Sequence, residues 1–150
     1  MTANTDLIKL YSARILALAA DMPHLERLDD PDATTKKRAP LCGSTVTVDL
    51  KCEDDVITAY GQEVKACALG QAAASVVGAH IVGATSDQVR AARDALKEML
   101  KNDGPTPAAP FDGLEVLRPA RDYKNRHASI MLTLDASVEA LDTAAAASCA

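Results

Sequence analysis

The chain is predicted to fold as an α+β domain around a short antiparallel sheet, on three observations. Residues 45–52 alternate, with Val46, Val48, Leu50 and Cys52 on one face and Thr45, Thr47, Asp49 and Lys51 on the other, as a strand with one buried face requires. The polar turn Glu53-Asp54-Asp55 joins that run to Val56-Ile57-Thr58-Ala59-Tyr60, and Gly61 leads towards a third short strand through Val64 and Lys65. Beyond Cys67 the apolar residues recur every three or four positions, the helical period.

Residues 5–20 are expected to form one amphipathic helix. Leu7, Leu10, Tyr11, Arg14 and Leu18 lie along its inner stripe, Asp6 complements the dipole in its first turn, and Met22-Pro23 ends it. Residues 21–40 lack sustained periodicity and read as a long mobile loop that delivers the chain to Cys42. After the meander, residues 68–80 are rich in Ala and Val and suit a helix packed closely on the sheet. Thr85-Ser86-Asp87 opens a further helix, with Val89, Ala92, Leu96, Met99 and Leu100 as its stripe and Asn102-Asp103-Gly104-Pro105 as its stop. Residues 111–117 fit a short helix. A long one is expected over residues 126–147, on Ile130, Leu134, Val138 and Leu141, with the Ala-rich end at 143–150 fraying. All 150 residues are assigned to a single domain, because neither side of the Pro-rich connection at 104–110 is large enough to fold alone.

Composition excludes several function classes. With no Trp and one Phe, Phe111, the core must be built from Leu, Val, Ile and Ala, and no base-stacking surface is expected. The net charge of −5 argues against nucleic acid as a partner, and the basic run Lys36-Lys37-Arg38 reads as a solvated loop. No stretch approaches the roughly 20 apolar residues of a membrane span, and no signal-peptide pattern opens the chain, so a cytoplasmic location is expected. In a reducing compartment, Cys42, Cys52, Cys67 and Cys149 are core, metal or redox thiols and not a disulfide framework.

Cys42, Cys67 and His127 each stand where an ordered element begins or ends, so they are the candidate metal ligands. Gly43 lets the backbone turn beside Cys42 and leaves its thiol approachable. Lys65 and the start of a helix both favour thiolate at Cys67. His127, after Arg126, sits at the positive end of the last helix, where a neutral imidazole, the form a metal needs, is favoured. Ser44, Lys65 and Arg126 are accessory candidates. Cys52 is assigned to the core and Cys149 to the tail, while His24 and His80 fit a loop and a helix end. Cys42 and Cys67 are not joined by any C-x-x-C pair, so spacing alone matches no zinc-finger pattern.

Pro40-Leu41-Cys42-Gly43 resembles the N-P-x-C-G-D motif of the iron–sulfur cluster assembly scaffold family, of IscU, SufU and NifU N-terminal type. The stretch from Cys67-Ala68-Leu69-Gly70 through Ser75 resembles that family's G-C-A-I-S-x-A-S-x-S, and Val82-Gly83-Ala84-Thr85 its following G-K-T turn. The resemblance runs over most of the chain. It implies a three-stranded antiparallel sheet covered on one face by helices, and ligands gathered at one end that hold a transient [2Fe–2S] cluster or zinc and accept sulfur from a cysteine desulfurase. Apo iron–sulfur acceptor proteins are the second implied partner. The chain departs from the pattern at four places: Ser44 replaces an acidic ligand, His127 stands where the third cysteine is expected, Ala66 replaces a glycine, and no Leu-Pro-Pro-Val-Lys motif is present.

The expected function is therefore that of a non-enzymatic scaffold or sulfur acceptor, with Cys42, Cys67 and His127 as cluster or zinc ligands. The alternative is a diverged paralogue that keeps the fold and docks to a partner with zinc or no metal bound. A Cys–His thiol enzyme is a third reading, but no third residue to orient the pair is evident.

Overall fold

A computed structural model of the protein describes residues 12–40 and 43–149, with side chains through residue 146. Its elements are α1 (Ala13–Ala20), β1 (Ala33–Arg38), β2 (Thr45–Glu53), β3 (Val56–Lys65), α2 (Ala68–His80), α3 (Ser86–Asn102), a 3-10 helix (Asp112–Asp122) and α4 (Lys124–Cys149). The fold is α+β, as the alternation and helical periods predict: a three-stranded antiparallel sheet in the order β1-β2-β3, packed against helices.

Two of the three strands differ from expectation. β1 lies inside the segment expected to be a loop, and it pairs with β2 from Ala33 opposite Leu50 to Arg38 opposite Thr45. Its sequence, Ala-Thr-Thr-Lys-Lys-Arg, offers almost no apolar signal, because an edge strand is held by its neighbour's backbone and its lysines discourage further pairing. The Lys36-Lys37-Arg38 run is thus part of the sheet edge, with Lys37 paired to Glu139 of α4 at 3.0 Å. β3 is a single strand through Gly61, not two short ones. Gly61 is there for clearance: a Cβ would run into the backbone of residues 26–28, which crosses the sheet at that point.

That crossing segment explains why both faces of β2 are buried between Val46 and Leu50. Val46, Val48 and Leu50 face the helices. On the opposite face Asp49 is fully buried beneath the crossing segment, where it accepts from Arg27 Nε and Nη2 at 2.5 and 3.0 Å, the Leu28 amide at 3.0 Å and Thr34 Oγ1 at 2.6 Å. At the β2–β3 turn Asp54 and Asp55 both take the left-handed conformation (φ 52° and 66°) of a tight two-residue hairpin.

On the inner face α4 lies against β1 and β2, and α2 sits between α1 and α4. α2 is buried from Ala72 to Gly78, which its small residues allow. The core is one contiguous cluster reaching from Ile15 to Ala144, built from Leu, Val, Ile and Ala with Phe111, Tyr60 and Met99. Cys52, expected in the core, is only partly buried: a register shift between Lys51 and Cys52 turns it to the core's edge. Of the helix expected over residues 5–20, the described part is α1 from Ala13, where Ser12 is extended and accepts the Ile15 amide as an N-cap. Leu7, Leu10 and Tyr11 lie outside the described residues. α4 runs through Cys149, with Leu141 and Ala144 buried in its last described turns.

Candidate functional site

Cys67 joins β3 to α2 at the end of the sheet where the β1–β2 loop also arrives. It is the N-cap of α2, with extended backbone (φ −68°, ψ 171°), and its side chain makes no capping bond, so the sulfur is not committed to the helix. Sγ lies 3.5 Å from Ser129 Oγ of α4, and Ser129 Oγ donates to Ser44 Oγ at 3.1 Å. Both hydroxyls are buried. A hydroxyl has one proton and Ser129 gives its own to Ser44, so the Cys67 thiol donates at the sulfur contact.

Local backbone makes this approach feasible. Gly70, in the first turn of α2, faces Ser129: a Cβ there would stand 2.6 Å from Ser129 Oγ and 2.9 Å from the Ala66 Cβ. Only a glycine lets α4 come this close. The loop between β1 and β2 is closed by the Ala39 amide donating to Ser44 O at 2.8 Å and the Gly43 amide to Ala39 O at 2.9 Å, with Gly43 left-handed at φ +74°. These bonds fix Ser44 over α4. Cys42, the first candidate ligand, lies outside the described residues.

His127 stands in the first turn of α4. Its Nε2 is 2.9 Å from Ala120 O and 3.1 Å from Arg121 O, at the end of the 3-10 helix. Carbonyl oxygens only accept, so Nε2 carries a proton and, in the neutral ring, Nδ1 holds the lone pair. Two positions separate His127 from Ser129, about 200° around a helix. The ring therefore faces the groove between α3 and α4, away from Cys67. The structure brings Ser44, Cys67 and Ser129 together and sets His127 on a neighbouring face. Among the described residues no three His, Cys, Asp or Glu side chains gather closely enough to hold a metal ion.

No protein-family model matches the chain, and no curated protein sequence does. Among solved structures, a nitrogen-fixing NifU-like protein (N-terminal) from Brucella abortus is 46% identical, over 94% of this chain and 98% of that one, with a TM-score of 0.92. The chain belongs to the NifU-like N-terminal family. An iron–sulfur cluster assembly scaffold protein for the SUF system, from thermophilic Fervidobacterium islandicum AW-1, shares the fold at 18% identity and a TM-score of 0.79, over 89% of this chain and 98% of that one. A hypothetical protein solved at 2.3 Å shares it at 22% identity with the same TM-score, over 90% and 98%.

In this NifU-like chain Lys65 is exposed at the end of β3, two residues before Cys67, and the Arg126 amide donates to Tyr123 O at 2.9 Å in the first turn of α4. Sequence reasoning singled out both but missed Ser129. The available signal was Ser129, Thr133 and Ser137 at helical spacing inside an apolar stripe. All three are buried, and the latter two lie 3.5 and 3.3 Å from the Tyr60 hydroxyl. Burial pushes the Tyr60 phenol above its ordinary pKa, against the pull of those two hydrogen bonds. No helix among the described residues is long and apolar enough to cross a membrane.

Proposed function

We propose that this NifU-like chain acts as a scaffold or sulfur acceptor in iron–sulfur cluster assembly, working with a cysteine desulfurase and passing its cargo to apo iron–sulfur acceptor proteins in the cytoplasm. The cargo is a transient [2Fe–2S] cluster or a zinc ion, and the ligands are Cys42 and Cys67; His127, whose ring faces the α3–α4 groove, is not among them. The observation that carries the reading is Cys67: in a chain 46% identical to a NifU-like protein, its sulfur sits at a helix N-terminus, free of capping, against buried hydroxyls. A cysteine binds metal or attacks a sulfur donor as its thiolate, and no capping bond ties this sulfur to the helix. Ser44 and Ser129 are neutral oxygen donors that bind soft metals weakly, so their part is to hold the Cys67 sulfur in place.

The test is anaerobic purification followed by zinc, iron and acid-labile sulfide per chain, in wild type, Cys42→Ser and Cys67→Ser. Near one equivalent of metal in wild type, lost in both variants, is the expected result, and sulfide separates a cluster from zinc. A wild-type protein without metal, and incapable of cluster reconstitution, overturns it.

A second reading has its own support in the His127 ring, which faces the α3–α4 groove and not Cys67. On that reading the fold is a partner-docking module, and Cys67 rests against the Ser129 hydroxyl without a metal. It predicts that Cys67→Ser leaves desulfurase binding unchanged, as measured by sedimentation of the mixture.

A further inference from the structure

An open groove of about 770 Å³ runs between α3 and α4, and its charge is opposite to that of the molecule. α3 contributes Arg93, Lys97 and Lys101 at successive four-residue steps, one line of cations along one face. Lys124 adds a fourth at the start of α4, while Ala128 and Met131 form an apolar floor. Two carboxylates also line the groove. Asp94 is already bound to Arg93 at 3.1 Å, and Asp135 lies among the cations. Lys97, Lys101 and Lys124 form no ion pair or hydrogen bond among the described residues. A chain of net charge −5 thus keeps an excess of positive charge, four cations against two carboxylates, in one concave strip.

The spacing of that charge selects its ligand. Four residues of helix rise about 6 Å, so the line from Arg93 to Lys101 covers roughly 12 Å. Alternate side chains of an extended peptide are about 6.6 Å apart on one face, nearly the same step. A small inorganic anion needs donors that converge on one point, and these cations are spread along a line. A nucleic acid strand would find no Phe, Tyr or Trp lining the groove to stack its bases, and a net repulsive molecule around it.

We propose that the α3–α4 groove docks an extended acidic segment of a protein partner, with Asp or Glu at every second position facing Arg93, Lys97 and Lys101 and the intervening side chains on Ala128 and Met131. Docking there places the partner beside His127, on the other side of α4 from Cys67, and it requires no bound metal.

The test is a titration of the full-length ¹⁵N-labelled chain, followed by amide shifts, with a capped octapeptide of alternating Asp and Ala. A peptide with Lys in place of Asp, sodium phosphate and decathymidylate serve as competing probes. Expected are shifts confined to α3 and the first turns of α4, binding weakened as salt rises from about 50 to about 300 mM, and at least a tenfold loss of affinity in Lys97→Glu/Lys101→Glu. Both lysines are exposed, so the fold should survive, and Lys97→Ala/Lys101→Ala provides a milder second variant. Shifts scattered over the surface, or affinity unchanged in both variants, overturn the proposal. So does phosphate or decathymidylate binding more tightly at the same amides, or sedimentation of the free protein as a dimer with these amides covered.

Discussion

Asp49 is the residue on which the outer face of the sheet depends. Its carboxylate is fully buried, yet four hydrogen bonds from Arg27, Leu28 and Thr34 satisfy it and tie the crossing segment to β2. Burial by itself would raise this carboxyl, but the hydrogen bonds from Arg27, Thr34 and Leu28, with the Arg27 charge, hold it below the ordinary carboxylate range. A group whose pKa is depressed by folding stabilises the fold above its unfolded value and loses that contribution as pH falls through the folded one. Asp49→Asn should therefore cost about 2 kcal/mol at pH 7, less than breaking a fully buried pair because Arg27 stays half exposed. Urea melts at pH 7 and below about pH 4 check this: the gap between wild type and variant should narrow at the lower pH. An equal gap at both would rule out the charged pair as its source. In the sequence Asp49 was legible only as a polar position of an alternating strand. Arg27 lies in a stretch with no periodicity, and nothing local pairs the two.

Among the elements, α3 was the easiest to read. Thr85 and Gln88 form a reciprocal capping box, and Asp103 ends the helix in the left-handed conformation, where a short polar side chain is tolerated. All of these signals lie within a few residues of the helix ends. Thr85→Ala should destabilise the protein by about 1 kcal/mol and speed hydrogen exchange in the first turn of α3 before other elements. Uniform exchange with no loss of stability would show the cap to be redundant. β1 is the opposite case. Its pattern carries no strand signal because its partners supply the reason for it: β2 provides the ladder, and Glu139 of α4 provides the charge for Lys37. The site divides in the same way. Cys67 was legible as the residue between a strand and an Ala-rich helix. Its neighbour Ser129 lies 62 positions away on α4 and became visible only when Gly70 let that helix approach.

At the scale of the whole molecule, one contiguous cluster of buried side chains joins the sheet to the four α-helices of the described residues. No layer has a core of its own, so a single cooperative unfolding transition is expected. Far-ultraviolet circular dichroism and a side-chain probe such as tyrosine fluorescence should give coincident midpoints, and separated midpoints would mean that the sheet or a helix pair folds alone. By itself the sequence determined the α+β class, the alternating strand β2, the caps of α3, the span of α2 and a thiol at the start of α2, because each rests on periods and caps a few residues long. Its motifs around Cys42 and Cys67 also pointed to the family to which 46% identity assigns the chain. Tertiary structure alone decided that a basic stretch is an edge strand, that Asp49 is buried and paired, that Ser129, bonded to Ser44, lies against Cys67, and that His127 turns to another face. Those features depend on contacts between residues far apart in the chain, and on which face of a helix or strand is turned to which neighbour. A local pattern leaves that choice open until the core packs.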